Sequence, residues 1–252
     1  MEIVINGINY EVEEEKSVLE VARREGIDIP TLCYHPALES YGACRLCLVE
    51  VKGGGRLGLA ASCVLPVSDG LVVETDSDRV LQARRTILKL LLSACPEVPA
   101  VKELAARLGV AETPYLSKEN SNGCTLCGQC VRVCEKIGMR AIGFAFRGPL
   151  RKVTGPWDKT PEVCLACRAC ENVCPIGLVK FTEDKDTISG EPWHANVPLA
   201  KCSRCGKPFA SQTLLEYLHN TVDLDVDICS DCRKKELGQT WLRTALPDVH
   251  NI

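Results

Sequence analysis

Apolar residues alternate with polar ones at Ile3, Ile5, Ile8, Tyr10 and Val12, around an Asn6-Gly7 dipeptide. Alternation marks a half-buried strand and Asn-Gly a two-residue turn, so the chain is expected to open on a β-hairpin. Ser17 with Glu20 forms a capping box for a short helix that Gly26 can close. Arg45 to Lys52 and Arg56 to Cys63 read as two strands joined by Gly53-Gly54-Gly55, and Leu71 to Glu74 as another. The period then changes. Val80, Ala83, Ile87, Leu88 and Leu91 recur at helical spacing. Pro96 breaks that pattern, and a second helix is expected from Pro99 to Gly109. Residues 186–199, with Gly190, Pro192 and Pro198, read as a linker; Leu214, Leu215 and Leu218 predict a short helix, and Arg233-Lys234-Lys235-Glu236-Leu237 the start of another.

This pattern divides the chain into a β-rich segment at 1–76, a helical linker at 77–112, a loop-rich segment at 113–185, the linker at 186–199 and a last module at 200–252. The class is α+β. No run approaches the ~18 apolar residues of a membrane helix. Met1-Glu2-Ile3-Val4 lacks the basic and apolar regions of an export signal, so the chain is expected to be soluble, without membrane insertion, and to stay where it is made. A net charge of −3 gives no global sign of nucleic-acid binding.

Cysteine changes the picture. There are 17, against 2 Met and 4 His. Disulfide scaffolds are short, secreted and built on scattered cysteines. Here the cysteines cluster at ligand spacings and no export signal precedes them, which favours metal-bound thiolates.

Cys33, Cys44, Cys47 and Cys63 read C-x10-C-x2-C-x15-C. Two close thiolates on a loop with two remote ones can grip a flat 2Fe–2S rhomb, although the plant-type pattern has a first gap of four. Four thiolates also suit zinc; the cysteine-rich context favours 2Fe–2S. Cys33-Tyr34-His35-Pro36, with Tyr41-Gly42-Ala43-Cys44-Arg45-Leu46-Cys47-Leu48-Val49-Glu50-Val51, resembles a known domain. It is similar to the N-terminal 2Fe–2S domain shared by iron-only hydrogenases, the large iron–sulfur subunit of respiratory NADH dehydrogenase, and diaphorase subunits of NAD-linked hydrogenases. The resemblance implies a β-grasp fold, in agreement with the hairpin–helix–strand pattern. Gly42 is expected to let backbone N–H groups approach the sulfurs, and His35 is read as structural.

Cys124-x2-Cys127-x2-Cys130-x3-Cys134 is followed 29 residues later by Cys164-x2-Cys167-x2-Cys170-x3-Cys174-Pro175. Three thiolates at i, i+3 and i+6 wrap one face of a cubane, and the fourth ligates the other cluster. Cys124, Cys127, Cys130 and Cys174 are therefore assigned to one 4Fe–4S cluster, and Cys134, Cys164, Cys167 and Cys170 to a second. Glu135 stands where the first run lacks a proline, and Gly128 with Cys130-Val131-Arg132-Val133-Cys134 resembles the same family. Much of that family carries a further cluster on one histidine and three cysteines; the corresponding stretch here has only Cys95, in Ser93-Ala94-Cys95-Pro96. That cluster is expected to be absent and Cys95 to be a buried or free thiol. Arg132, Lys136, Arg140, Arg147, Arg151 and Lys152, with Glu135 the one acid from 131 to 152, read as charge compensation for anionic clusters or as a docking patch for an acidic partner.

Cys202-x2-Cys205 and Cys229-x2-Cys232, with 23 residues between, form a metal finger: zinc by spacing, or a third 4Fe–4S cluster. Its charges are mixed (Asp223, Asp225, Asp227 and Asp231 against Arg233, Lys234 and Lys235), which favours docking or folding over nucleic-acid contact. Gly53 to Gly58 joins strands and opens no helix, so it is a loop and not a nucleotide fingerprint. No nucleophile–base constellation is evident. The expectation is a non-catalytic, cytoplasmic electron-transfer subunit of a hetero-oligomer. It would link a flavin-containing, NAD(P)H-handling subunit to a catalytic redox subunit such as a hydrogenase or formate dehydrogenase. A stand-alone multi-cluster carrier and an iron–sulfur redox sensor are the alternatives.

Overall fold

The opening hairpin forms as its alternation requires. Strands β1 (Glu2–Ile5) and β2 (Ile8–Glu11) pair antiparallel with Ile5 opposite Ile8. Asn6 and Gly7 both take left-handed backbone, φ 53° and 79°, as a primed two-residue turn demands. Ser17 caps helix α1 (Val18–Arg24) by accepting from the Glu20 N–H. The Glu20 carboxylate reaches back to the Lys16 N–H at 2.7 Å. Strands β3 (Leu48–Gly53), β4 (Gly58–Ala61) and β5 (Leu71–Glu74) complete a mixed sheet of order β2-β1-β5-β3-β4, in which β1 and β5 run parallel. Ile3, Ile5, Val18, Leu19, Val21, Val49, Leu71 and Val73 close the core between sheet and helix. This is the β-grasp arrangement. A Cβ on Gly54 would lie 2.1 Å from the Gly70 carbonyl oxygen, so only glycine lets the β3–β4 loop pass there.

Ser77 caps α2 (Asp78–Ala94), and α3 (Pro99–Arg107) starts on its proline and ends before Gly109 at φ 68°. Leu88 of α2 and Ala105 of α3 pack with Leu32 and Leu46, which flank cysteines of the first set. Helix α4 (Gln129–Lys136) carries Cys130 and Cys134.

The computed structural model describes residues 1–115, 123–222 and 226–245, with side chains of the last helix to 241. Asp223 and Asp225 lie outside the described residues. The chain divides into two units, Met1–Lys136 with Val173–Leu178, and Ile137–Asn172 with Val179–Ile252. The second unit holds the short pair β6 (Gly143–Ala145) and β7 (Lys152–Thr154), helix α5 (Ala169–Asn172), and an antiparallel meander. The meander strands are β8 (Lys180–Glu183), β9 (Thr187–Glu191), β10 (Ala195–Lys201) and β11 (Pro208–Ser211). Helices α6 (Gln212–Thr221) and α7 (Ser230–Ala245) follow.

The linker expected at 186–199 is therefore corrected: it forms β9 and most of β10. Ile188, Gly190, Ala195 and Val197 point inward at alternate positions. Gly190 is present because the Phe181 ring packs where its Cβ would stand, 2.4 Å away. Pro198 takes an outward-facing position, and Pro192 sits in the turn between the strands. Among the described residues, no helix is long and apolar enough to cross a membrane.

Candidate metal centres

The first cysteine set is buried except for half-buried Cys44, and its thiols fall into two pairs. The thiol of Cys33 interacts most strongly with that of Cys44, and the thiol of Cys47 with that of Cys63. In each pair this interaction holds one thiol low, Cys44 and Cys47 each at about 6, and drives the other far up. Two facing pairs offer each iron of a 2Fe–2S rhomb two sulfurs, and the low members are readily available as thiolates. Backbone amides crowd the same sulfurs. The Cys44 N–H donates to Cys33 Sγ at 3.4 Å, and the N–H groups of Leu32 and Leu46 reach Cys44. Gly42 at φ 68° and Arg45 at φ 59° turn the loop to allow this. His35 Nδ1 accepts from the Ala37 N–H at 3.2 Å and so serves the loop.

Arg84 lies beneath this loop and escaped the sequence reading. It is 1% exposed; its Nε donates to the Leu46 carbonyl at 3.0 Å and Nη2 to the Leu48 carbonyl at 2.7 Å, on either side of Cys47. Burial pushes its guanidinium below the usual range, opposed by Asp76 at 3.3 Å. Its position between Val80 and Leu88, four residues from each on the apolar face of α2, was the available signal.

In the first of the twin runs, Cys124, Cys127, Cys130 and Cys174 all belong to the first unit. Burial raises Cys127, and Cys124 and Cys174 are close enough to raise it further by repulsion of their thiolates. The buried atom Arg132 Nε has no hydrogen-bond partner, as a donor awaiting an anionic inorganic cluster would be left. Helix α4 is fastened to the Cys33 segment: Arg132 donates to the carbonyls of Cys33 (2.5 Å) and Glu39, and Lys136 Nζ to that of Ala37 (2.6 Å). Cys95 is fully buried, and its thiol donates to the Cys124 carbonyl at 3.4 Å.

The second run repeats the backbone of the first. Leu126 and Ala166 sit at φ 53° and 49°, and each sends its N–H to the sulfur two residues back, Cys124 or Cys164, at 3.4 Å. Gly128 and Arg168 follow at φ 74° and 61°. Left-handed backbone at non-glycine positions costs about 1 kcal/mol or more and persists where the surroundings require it. Here it converges amides on sulfur in both runs. Arg168 ties its run to β8, donating to the Phe181 carbonyl at 2.7 Å and pairing with Glu171 and Glu183. Cys164, Cys167 and Cys170 lie in the second unit and Cys134 in the first.

At the C-terminal end, Cys202, Cys205, Cys229 and Cys232 bring their sulfurs within 4.8 Å of one another, and Cys205 to Cys229 is 3.7 Å. The Gly206 N–H bonds the Cys202 carbonyl at 2.9 Å, forming a knuckle, and the Cys229 N–H donates to Cys202 Sγ at 3.3 Å. That amide, with those of Cys205 and Arg204, lowers Cys202 to about 6. Bonds to Cys229 and its neighbours push Cys232 up to about 12. The quartet fits a metal.

Two family models match the chain: a 2Fe-2S iron-sulfur cluster binding domain over residues 1–78, and a 4Fe-4S dicluster domain over 123–178. The chain is 35% identical over 209 residues to the NADP-reducing hydrogenase subunit HndD of Solidesulfovibrio fructosivorans, covering 70% of this chain and 35% of that protein. It is 31% identical over 219 residues to the mitochondrial NADH-ubiquinone oxidoreductase 78 kDa subunit of Candida albicans (strain SC5314 / ATCC MYA-2876), covering 77% of this chain and 30% of that protein. The chain thus spans about a third of these relatives. A chain in the crystal structure of NAD+-reducing [NiFe]-hydrogenase in the H2-reduced state superposes with a TM-score of 0.62 at 26% identity, over 70% of this chain and 85% of that one. Paired thiols in a β-grasp domain, twin cysteine runs and these matches together identify an iron–sulfur electron-transfer protein with a 2Fe–2S domain and a 4Fe–4S dicluster domain, resembling part of such hydrogenase and NADH oxidoreductase proteins.

Proposed function

We propose that the chain is the electron-relay subunit of a cytoplasmic oxidoreductase complex, set between a flavin-containing, NAD(P)H-handling subunit and a catalytic redox subunit such as a hydrogenase or formate dehydrogenase. Cys33 and Cys44 hold one iron of a 2Fe–2S cluster, and Cys47 and Cys63 the other. Cys124, Cys127, Cys130 and Cys174 hold one 4Fe–4S cluster. On spacing alone, Cys134, Cys164, Cys167 and Cys170 hold the second. The observation that carries this reading is the attachment of α4, with its cluster cysteines, to the carbonyls of Cys33 and Ala37 in the 2Fe–2S loop. Two one-electron sites on one framework suit a relay.

Cys202, Cys205, Cys229 and Cys232 hold a single zinc ion. A tetrahedron with metal–sulfur bonds of about 2.3 Å has edges of about 3.8 Å, close to the 3.7 Å between Cys205 and Cys229. A cubane spreads its four thiolates further apart.

Metal analysis and native size-exclusion of protein purified without oxygen test the reading. About 10 iron, 10 sulfide and 1 zinc per chain are expected, in material that elutes as a hetero-oligomer. About 14 iron without zinc would overturn the zinc assignment. Elution of the native protein as a lone chain would overturn the relay-subunit role in favour of a free carrier.

A further inference from the structure

Gln129 is a polar side chain that the two cluster sites do not use as a ligand. It is 2% exposed, opens helix α4 and immediately precedes Cys130. Its Nε2 donates to the Leu32 carbonyl at 2.7 Å and to the Tyr34 carbonyl at 3.3 Å. Those carbonyls belong to the residues on either side of Cys33. Two acceptors fix which end of the amide faces the loop, since only the NH2 end has two donors.

We propose that Gln129 is the positioning residue that closes the electronic path between the 2Fe–2S site and the first 4Fe–4S site. The path runs from Cys33 through the Leu32 carbonyl, across one hydrogen bond of 2.7 Å to the Gln129 amide, and along the chain to Cys130. The proposal rests on the ligand assignments given above. One electron is lost at one site and gained at the other; no bond forms or breaks and no proton moves with it.

Three observations support the role. Electronic coupling decays more slowly along bonds than across a gap, and this path contains a single non-covalent step. The amide is shielded from water, where a hydrogen bond is stronger and more fixed in length than at the surface. Finally, the stretch between the two cysteine sets offers Cys95 as its one cysteine, so no further four-ligand site lies there to shorten the hop. Arg132 also bonds the Cys33 carbonyl, but from two residues beyond Cys130, and it acts as the clamp that holds the helix in register.

The full chain, loaded with its clusters and kept anaerobic, provides the test. In the parent, the 2Fe–2S electron-spin signal is expected to relax faster when the first cubane is reduced, and so paramagnetic, than when it is oxidised. A 2Fe–2S signal indifferent to the state of the cubane would overturn the proposal without any variant. Gln129→Met keeps the volume and deletes both hydrogen bonds. It is expected to retain both cluster signals and both midpoint potentials while slowing electron equilibration after flash reduction several-fold. An unchanged rate would overturn the proposal, and so would a changed potential with an unchanged rate, which marks a purely structural role. If Gln129→Met loses a cluster, Gln129→Asn repeats the comparison with the amide withdrawn by one methylene. A parent lacking any 2Fe–2S signal would sink the cluster assignment itself, a failure distinct from all of these.

Discussion

Replacing Arg84 by methionine removes a buried cation from beneath the 2Fe–2S loop. The side chain gives two hydrogen bonds to the carbonyls of Leu46 and Leu48, at 3.0 and 2.7 Å. Bonds from a charged donor contribute about 1.5–3 kcal/mol each, so the gross loss is about 3–6 kcal/mol. Methionine also relieves the cost of burying the guanidinium, which leaves a net destabilisation of about 2–4 kcal/mol. The ion pair with Asp76 adds little, because that carboxylate is 61% exposed. With a guanidinium-chloride slope of about 4 kcal/mol per molar, the midpoint should fall by about 0.5–1 M. The visible circular dichroism of the 2Fe–2S centre reads this transition locally. A shift below about 0.1 M would refute the argument that these two bonds anchor the loop. The same substitution withdraws positive charge from the neighbourhood of Cys47, so the 2Fe–2S potential should move negative. Arg84→Lys, which keeps the charge but cannot serve both carbonyls, should recover the potential better than the stability.

Cys44→Ala should abolish the 2Fe–2S signal and leave both 4Fe–4S signals; a surviving 2Fe–2S spectrum would show the ligand set to be wrong. Cys174→Ser should damage the cluster on Cys124, Cys127 and Cys130, and loss confined to the other cubane would refute the crossed assignment. Gly54→Ala places a Cβ 2.1 Å from the Gly70 carbonyl oxygen at a φ of 69°, so it should destabilise the first unit by about 2 kcal/mol or more in denaturant titration. Stripping the metal from the C-terminal quartet with a competing chelator should melt the module, since a structural zinc contributes on the order of 10 kcal/mol to folding; unchanged far-ultraviolet dichroism would argue against a structural ion.

The sequence was most legible where local chemistry decides. Asn6-Gly7, the Ser17–Glu20 box, the α2 stripe and the Pro99 and Gly109 boundaries each act within a few residues, and each appears as expected. The meander was missed because its evidence is long-range. Gly190 reads as flexibility until the Phe181 ring is seen against it. The β3 strand starts three residues later than its apolar run suggests, because Arg45 turns left-handed to aim amides at sulfur. Cysteine spacing points to candidate ligands but not to what orients them. Arg84 reads as an interruption of an apolar face, and Gln129 as an ordinary first-turn residue. Leu126 and Ala166 carry no compositional sign of positive φ; their shared geometry emerges only when the two runs are compared as backbones.

The meander also changes the meaning of the C-terminal quartet, which the spacing suggested was a finger at the end of a linker. Cys202 and Cys205 lie in the turn between β10 and β11, and β11 runs directly into α6. Ser211 at that junction is 2% exposed and has two duties: its hydroxyl donates to the Leu165 carbonyl and accepts from the Leu214 N–H at 3.2 Å. Thr213, on the first turn of the helix, donates to the Cys164 carbonyl at 3.1 Å. The carbonyls of the first two residues of the second cysteine run are thus held by the start of α6, and the start of α6 is held by the strand pair that the knuckle closes. A metal that stiffens the knuckle would therefore limit the freedom of the Cys164 backbone, the proposed start of the second ligand run. On the reading proposed above, the quartet would brace the second cysteine run, a task for which a redox-inert ion is sufficient.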